Sequence, residues 1–299
     1  MDIRVLQYFL AVAREESITK AAESLHMTQP PLSRQLKDLE DELGKQLLIR
    51  GSKKVTLTED GMLLRKRAEE LINLMEKTKA ELTCSDESIS GEIHIGSGET
   101  DAISFLAQAA GNLQKKYPLF SYHIYSGDAD RVMEKLDKGL IDFGILVGPV
   151  DIQKYEHMRL PISDTWGVLM RKDSPLAEKE MISAEDLRNK PLILSHQTSE
   201  SSEMFSWLKS DVTKLNVAAT YDLIYNASHF VNKGLGYAIA LDGLINTTGD
   251  SDLCFRPLYP PLKAELYIVW KKYQVFSKAS DKFLSQLQIE LNMDEHPPE

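Results

Sequence analysis

Leu32, Leu36, Leu39 and Leu43 lie at spacings of 4, 3 and 4, one face of an α-helix, in the stretch from Thr28 to Gly44. Gly44 supplies the helix stop. A shorter helix is predicted over residues 18–25, with His26 and Met27 as the turn between the two. A first helix over residues 3–15 places Val5, Leu6, Phe9, Leu10 and Ala13 on one face, the face of a support packed under the pair. After Gly44 come a short apolar strand over 46–49, a basic turn from Arg50 to Lys54, and a strand at Val55, Thr56 and Leu57. Thr58 then opens a long helix to about residue 82, with Glu59 and Asp60 complementing its dipole. Its residues Leu64, Ala68, Leu71, Met75, Thr78 and Leu82 alternate spacings of 4 and 3, a heptad seam suited to pairing with a second copy.

A polar segment at 84–91 breaks that helix and reads as a hinge. Beyond it the pattern changes to alternating strands and helices. Strands are predicted at 92–96, 120–125 and 141–147, with helices at 100–117 and 129–138. A second series has strands at 165–171, 192–195, 218–223, 237–241, 253–257 and 265–271. Its helices are 184–188, 203–209, 226–233 and 279–291, and the acidic tail from 294 reads as disordered. Such alternation predicts a parallel-type α/β sheet in two halves with a cleft between them.

The chain is long enough for two or three domains. No apolar run approaches membrane-spanning length, and the N-terminal stretch carries acids and helical periodicity rather than a signal-peptide pattern. Cys84 and Cys254 stand far apart, so neither a disulfide framework nor a zinc site is expected, and the reading is of a cytoplasmic protein with no membrane partner. The net charge of −10 looks wrong for a binder of nucleic acid, but it is uneven. Residues 1–67 hold twelve basic and ten acidic side chains, and the remainder twenty-three and thirty-five. A modestly basic head on an acidic body offers one face to a polyanion and repels it elsewhere.

Chemistry sharpens that picture. Thr28, Gln29, Pro30, Pro31, Ser33, Arg34 and Lys37 lie at or near the start of the second helix and off its leucine stripe, where a recognition helix meets base edges and phosphates. The two prolines fall in the first turn, where N–H groups have no helical partner, and they deny Thr28 its usual capping bonds. Arg50, Lys53 and Lys54 around Gly51 form the basic tip of a wing, suited to phosphates or a minor groove.

The stretch 21–61 closely resembles the N-terminal signature of LysR-type transcriptional regulators. It carries Ala21-Ala22, then Thr28-Gln29-Pro30 leading into Leu32-Ser33 and Gln35, then Leu39-Glu40, Leu43-Gly44, Arg50, Leu57-Thr58 and Gly61. Leu48 stands where that family usually has Phe, a volume-conserving swap. The order GEIHIG, FLAQAAGNLQKKYP, LDKGLIDFGIL, KGLGYAIAL is similar to the effector domain of the same regulators. The resemblance implies an α/β multidomain chain: a winged helix-turn-helix at 1–58, with the helix-turn-helix near 18–37, and a dimerising linker helix at 59–86. It further implies a two-subdomain effector domain like type 2 periplasmic-binding proteins, with one subdomain from 91–161 plus 265–299 and the other from 162–264. The crossovers are placed near Pro161 and Ala264. Implied partners are double-stranded DNA with an interrupted near-palindromic site, a second copy of the chain (tetramers are usual for the family), a small-molecule effector and, as a further candidate, RNA polymerase.

Ligands of open α/β sheets sit beyond the carboxyl ends of the strands. Ser97, Gly98, Glu99 and Thr100 follow one strand. Gln197, Thr198 and Ser199 follow another, and Asn226 opens a helix; the resemblance places the effector at these loops. Small residues, hydroxyls and helix N-termini there suit an anion, whereas Glu99 suits an amine. The competing function is a solute-binding or enzymatic α/β protein whose N-terminal helices only mediate assembly. An enzyme needs a converging acid, base or nucleophile set, and no GxSxG, P-loop or post-strand GxGxxG is present. The seven histidines are scattered without ligand spacing, so no catalytic or metal site and no cofactor is expected.

Overall fold

The computed structural model describes residues 1–51, 54–83, 90–148, 152–197, 203–208 and 215–295. It separates into two compact units, Met1–Thr83 and Cys84–Glu299. The hinge residues 84–89 with Cys84, the wing-tip Lys53, the loop residues Thr198 and Ser199 and the tail 296–299 lie outside the described residues.

The first unit contains α1 (Ile3–Glu15), α2 (Ile18–Ser24), α3 (Gln29–Leu43), β1 (Leu48–Arg50), β2 (Val55–Leu57) and α4 (Glu59–Thr83). Asp2 and Ser17 cap α1 and α2 by accepting backbone N–H bonds, whereas Thr28 makes no such bond at α3, whose first turn holds the prolines. Phe9, Val12, Ala21, Leu32, Leu36, Leu39 and Leu48 form its core. Leu43, assigned to the inner face by spacing, is 40 % exposed. It occupies the last position of α3, immediately before Gly44 turns the chain at φ 63°, beyond the reach of the core.

Thr58 closes the wing and starts α4 together. Its N–H bonds the Leu47 carbonyl at 3.0 Å, its hydroxyl donates to the Gln46 carbonyl at 2.7 Å, and the same hydroxyl accepts the Gly61 N–H at 3.0 Å. A Cβ on Gly61 would stand 2.2 Å from the Leu47 carbonyl oxygen, so only glycine fits there. The heptad seam of α4 is divided. Ala68 is fully buried and Leu64 packs into the head's own core, while Leu71 and Leu82 are exposed, Leu82 by 82 %.

The second unit runs β3 (Gly91–Ser97), α5 (Ile103–Lys116), β4 (Phe120–Ser126), α6 (Ala129–Asp137), β5 (Phe143–Val147), β6 (Tyr155–Arg171), β7 (Ile182–Ser183), β8 (Leu192–Ser195), α7 (Glu203–Leu208), β9 (Val217–Tyr221), α8 (Ile224–Asn232), β10 (Tyr237–Leu241), β11 (Leu253–Tyr259), β12 (Lys263–Lys271) and α9 (Lys278–Glu295). The short helix predicted at 184–188 is a 3-10 turn, Ala184–Leu187. The sheet follows the order β4-β3-β5-β12-β6-β10-β8-β9. It is mixed rather than uniformly parallel: β4, β3 and β5 are parallel, as are β10, β8 and β9, but β12 and β6 run antiparallel to each other and to their other neighbours. These two strands carry the chain between the lobes, which is why their direction is reversed.

The first lobe buries Ile93, Ile95, Leu106, Phe143, Ile268 and Phe283 between its sheet and helices α5 and α9. The second buries Val168, Met170, Leu192, Leu194, Ile239 and Leu258 on one side, and Leu169, Ile193, Ile224 and Val231 on the other. Strand β6 is longer than the predicted 165–171. Its first part pairs with β12 from Tyr155 to Thr165, and its last part with β10 and β11.

Candidate nucleic-acid interface and effector cleft

In the head, the core-facing leucines of α3 fix which side chains point out. Thr28, Gln29, Pro30, Pro31, Arg34 and Lys37 are exposed and Ser33 is half-buried. Arg34 and Lys37, one turn apart, have no ion pair or side-chain hydrogen bond among the described residues. Arg50 on the wing donates to the Ser33 hydroxyl at 3.4 Å, which joins wing and recognition helix. Lys54 pairs with Glu16 at 3.2 Å, so its charge is partly answered within the head.

Glu40 is a positioning residue that sequence reasoning missed. The sequence marks it only as part of the Leu39-Glu40 signature, with no role of its own. Its Oε1 accepts the N–H groups of Leu47 at 2.7 Å and Leu48 at 3.0 Å, anchoring the wing strand to α3. The signal was its location at the end of the helix, facing a short chain reversal with unpaired backbone donors.

In the second unit Ser97 is the last residue of β3, and Gly98, Glu99 and Thr100 follow it beyond the carboxyl end of the strand, but not at a helix start. Helix α5 begins three residues later, at Ile103. Ser97 is buried and donates to the Gly98 carbonyl at 2.7 Å. Thr100, also buried, donates to Asp164 Oδ2 at 2.5 Å and accepts the Ala102 N–H at 3.1 Å. Glu99 crosses to the second lobe, where its carboxylate accepts the Ile224 N–H at the first residue of α8. That helix end is therefore served by an acid of this chain instead of standing open to an anion. Asn226 lies inside the first turn of α8, which starts at Ile224, and is exposed. Gln197 is exposed after β8, and its N–H donates to the Ser195 hydroxyl at 3.4 Å.

A cavity of about 440 Å³ lies between the lobes, lined among others by Gly127, Asp128, Arg131, Tyr221, Asp222 and Asn226. Of the predicted effector residues it holds Asn226; the loop 97–100 is not in its wall. A polar bridge crosses it. His196 Nδ1 stands 3.2 Å from Asp222 and its Nε2 3.7 Å from Asp128, while Arg131 stands 3.1 Å from Asp222 and 3.6 Å from Asp128. Asp128 is buried, caps α6 through the Arg131 N–H at 2.8 Å, and belongs to the first lobe; His196 and Asp222 belong to the second. Asp128 and Asp222 were legible in principle, because each follows a strand and precedes a helix, the same rule that selected Ser97 and Ser199.

Burial raises the Asp164 carboxyl above the ordinary carboxylate range; the Thr100 hydroxyl offsets part of this, and Asp101 and Asp242 add to it. Burial and the Glu99 charge likewise hold the Tyr221 hydroxyl protonated far above the usual tyrosine range, and that hydroxyl donates to the Ile239 carbonyl at 2.7 Å. A carboxyl raised by folding binds its proton more tightly in the native state. Its stabilising share is therefore complete at pH values below the unfolded value of 3.8 and is lost as pH rises through the folded value. Asp164→Asn removes that loss and keeps an acceptor for Thr100. Urea titrations at pH 4 and pH 8 are expected to show a larger gain for the variant at pH 8; equal gains at both would mean that Asp164 is not strained by its burial.

Cations held outward on α3 without intramolecular partners are suited to a polyanion, and a separate two-lobed α/β unit with a cavity is suited to a small molecule. Together they define the class of DNA-binding transcription regulators with an effector-binding domain. Comparison with known proteins agrees. Residues 3–62 match the model for bacterial regulatory helix-turn-helix proteins of the lysR family, and residues 86–292 match the LysR substrate binding domain. The chain belongs to the LysR family of transcription regulators and is not an enzyme.

Among its relatives, the uncharacterized HTH-type transcriptional regulator YvbU of Bacillus subtilis (strain 168) is 30% identical over 240 residues, covering 80% of this chain and 81% of that protein. The regulator BsdA of the same organism is 40% identical over 146 residues, 48% of this chain and 50% of its own length. The fold matches full-length CbnR complexed with its target DNA at a TM-score of 0.76 and 19% identity, covering 97% of this chain and 100% of that one. Among the described residues no helix is long and apolar enough to cross a membrane.

Proposed function

We propose that this regulator binds an interrupted, near-palindromic duplex site as a dimer and that a small molecule in the cleft of the second unit changes that binding. The observation that carries the effector half is the polar bridge across the cavity. Asp128 and Arg131 come from one lobe and His196 and Asp222 from the other, so a molecule that enters between them exchanges lobe-to-lobe contacts for its own. That differential contact is what shifts an equilibrium between open and closed lobes. An anionic effector that takes the start of α8 has to displace Glu99; a cationic one in the cavity meets Asp128 and Asp222.

The contacts proposed for DNA are Thr28, Gln29, Pro30, Pro31, Ser33, Arg34, Lys37, Arg50, Lys53 and Lys54. Those for the effector are Ser97, Gly98, Glu99, Thr100, Gln197, Thr198, Ser199 and Asn226, now joined by Arg131 and Asp222. The exposed Leu71, Leu74 and Leu82 of α4 support a pairing helix. The unit boundaries 1–58, 59–86, 91–161 plus 265–299, and 162–264 are part of the same reading, as are a tetramer, contact with RNA polymerase and a cytoplasmic location.

The test is a thermal-shift screen of small molecules on the full chain, repeated with Asp222→Asn. A true effector stabilises the wild type in proportion to ln(1 + [L]/Kd), about 2.7 kcal/mol at one hundred times Kd. It also alters duplex binding, and loses affinity in the variant. Stabilising molecules that leave duplex binding unchanged would sink the regulatory half of the reading.

A further inference from the structure

His94 and His123 are far apart in sequence and were read as unrelated. The parallel pairing of β3 with β4 sets them directly opposite each other, their rings stacked with centroids 4.6 Å apart and planes 13° from parallel. Glu92 is two residues before His94 and therefore on the same face of β3. One of its oxygens, Oε2, stands 3.5 Å from His94 Nε2 and 3.6 Å from His123 Nε2. The three candidate ligand atoms all lie within 4.8 Å of one another.

Those separations have a definite meaning. Ligands held about 2.0–2.1 Å from a tetrahedral ion stand roughly 3.3–3.4 Å from each other. A single carboxylate oxygen facing two Nε2 atoms at slightly more than that distance leaves both oxygen–nitrogen separations near the tetrahedral value, and rotation of the stacked rings out of parallel would aim both nitrogens at one ion. The cleft offers an instructive contrast. Asp128, His196 and Asp222 are equally close, but the two carboxylates approach opposite nitrogens of the one imidazole, and the Arg131 guanidinium already neutralises both. That arrangement is a charge bridge. At Glu92, no Lys or Arg forms an ion pair with the carboxylate among the described residues.

We infer that Glu92, His94 and His123 form a binding site for a divalent transition-metal ion of the Zn²⁺ class. Two imidazole nitrogens and one carboxylate favour Zn²⁺, Co²⁺ or Ni²⁺ over the all-oxygen ions Mg²⁺ and Ca²⁺, and three protein ligands leave a fourth position open. The backbone under the site is held by Asp142, which accepts the His94 N–H on its carboxylate at 2.8 Å and donates its own N–H to the His94 carbonyl at 2.7 Å. Glu92 and His123 are mostly exposed, so an ion can reach them from solvent. His94 and His123 are each the middle residue of their strand, β3 and β4, whereas the cleft lies past the carboxyl ends of those strands. Ser97, at the end of β3, is three residues beyond His94, about 10 Å along the strand. The ion is thus a second input, distinct from a cleft effector, held between β3 and the edge strand β4.

The experiment is a titration of the tag-free full chain with Co²⁺, read by its visible ligand-field band, followed by displacement with Zn²⁺. One equivalent is expected to bind. His123→Ala and Glu92→Gln, both at exposed positions and to be checked for folding by circular dichroism, should each weaken binding by about 100-fold or more, since each removes one of three ligands. His196→Ala should leave it unchanged. Absence of saturable binding below about 0.1 mM, binding that survives His123→Ala, or binding lost in His196→Ala would each overturn the assignment.

Discussion

Arg34→Ala is expected to lower affinity for the operator by about 5- to 150-fold per head, the equivalent of about 1–3 kcal/mol for a lost base contact. Two heads on one duplex square that factor. The expectation rests on position and on the lack of any competing use. Arg34 projects from the exposed side of α3, opposite Leu32, Leu36 and Leu39, and makes no ion pair among the described residues. Its removal leaves the head's core untouched, so folding should not change. Fluorescence anisotropy on a duplex from upstream of the chain's own gene, beside a random duplex of equal length, reads the effect. Loss confined to the specific duplex identifies base readout. Equal loss on both would assign Arg34 to phosphate and move the reading of sequence to Gln29 or Lys37. Lys54→Ala gives the useful comparison, because a wing cation on phosphate weakens both duplexes alike and flattens the salt dependence.

Phe283→Ala is expected to cost about 3–5 kcal/mol in the second unit. Phe283 is completely buried on α9, its ring centroid 5.5 Å from that of Phe143 and 5.8 Å from that of Tyr122. The residue comes from the end of the chain, while Phe143 and Tyr122 come from the beginning of the unit. The substitution therefore tests whether the C-terminal segment completes the first lobe. Urea unfolding followed by tryptophan fluorescence should show the loss, since Trp270 stands 6.4 Å from Phe143 in the same core. The head has a separate core around Phe9 and Leu36, and its unfolding midpoint should not move. A cost below about 1 kcal/mol would mean that α9 is only an appendage.

The helix-turn-helix was readable because its information is local: the leucine stripe, the proline pair and Gly44 all act within a few turns. Most strands of the second unit were readable for a similar reason, as apolar runs bounded by turns. The first part of β6 was not. Glu156, His157, Arg159 and Pro161 give it no apolar run, and it becomes a strand only because β12 pairs with it. Pro161 has no N–H to offer, and the register of β12 shifts opposite that point, between Glu265 and Tyr267. The site residues divide in the same way. Arg34 and Lys37 follow from one helix, but the union of Asp128 with Asp222, or of His94 with His123, depends on which strands become neighbours.

One feature of the strand pairing reaches beyond ligand sensing. Strand β6 leaves the first lobe and β12 re-enters it at facing positions, with Asp164 opposite Ala264. Directly opposed antiparallel residues stand about 4.5–5.5 Å apart, a gap that a tight hairpin turn spans. All of the chain between them is therefore a loop insertion with touching ends, a cassette in the engineering sense. It can be cut out and closed with a short turn, or exchanged for the matching lobe of a relative, without lengthening any connection in the part that remains. Diversification of such a regulator toward new molecules has, in this pair of strands, a ready splice point.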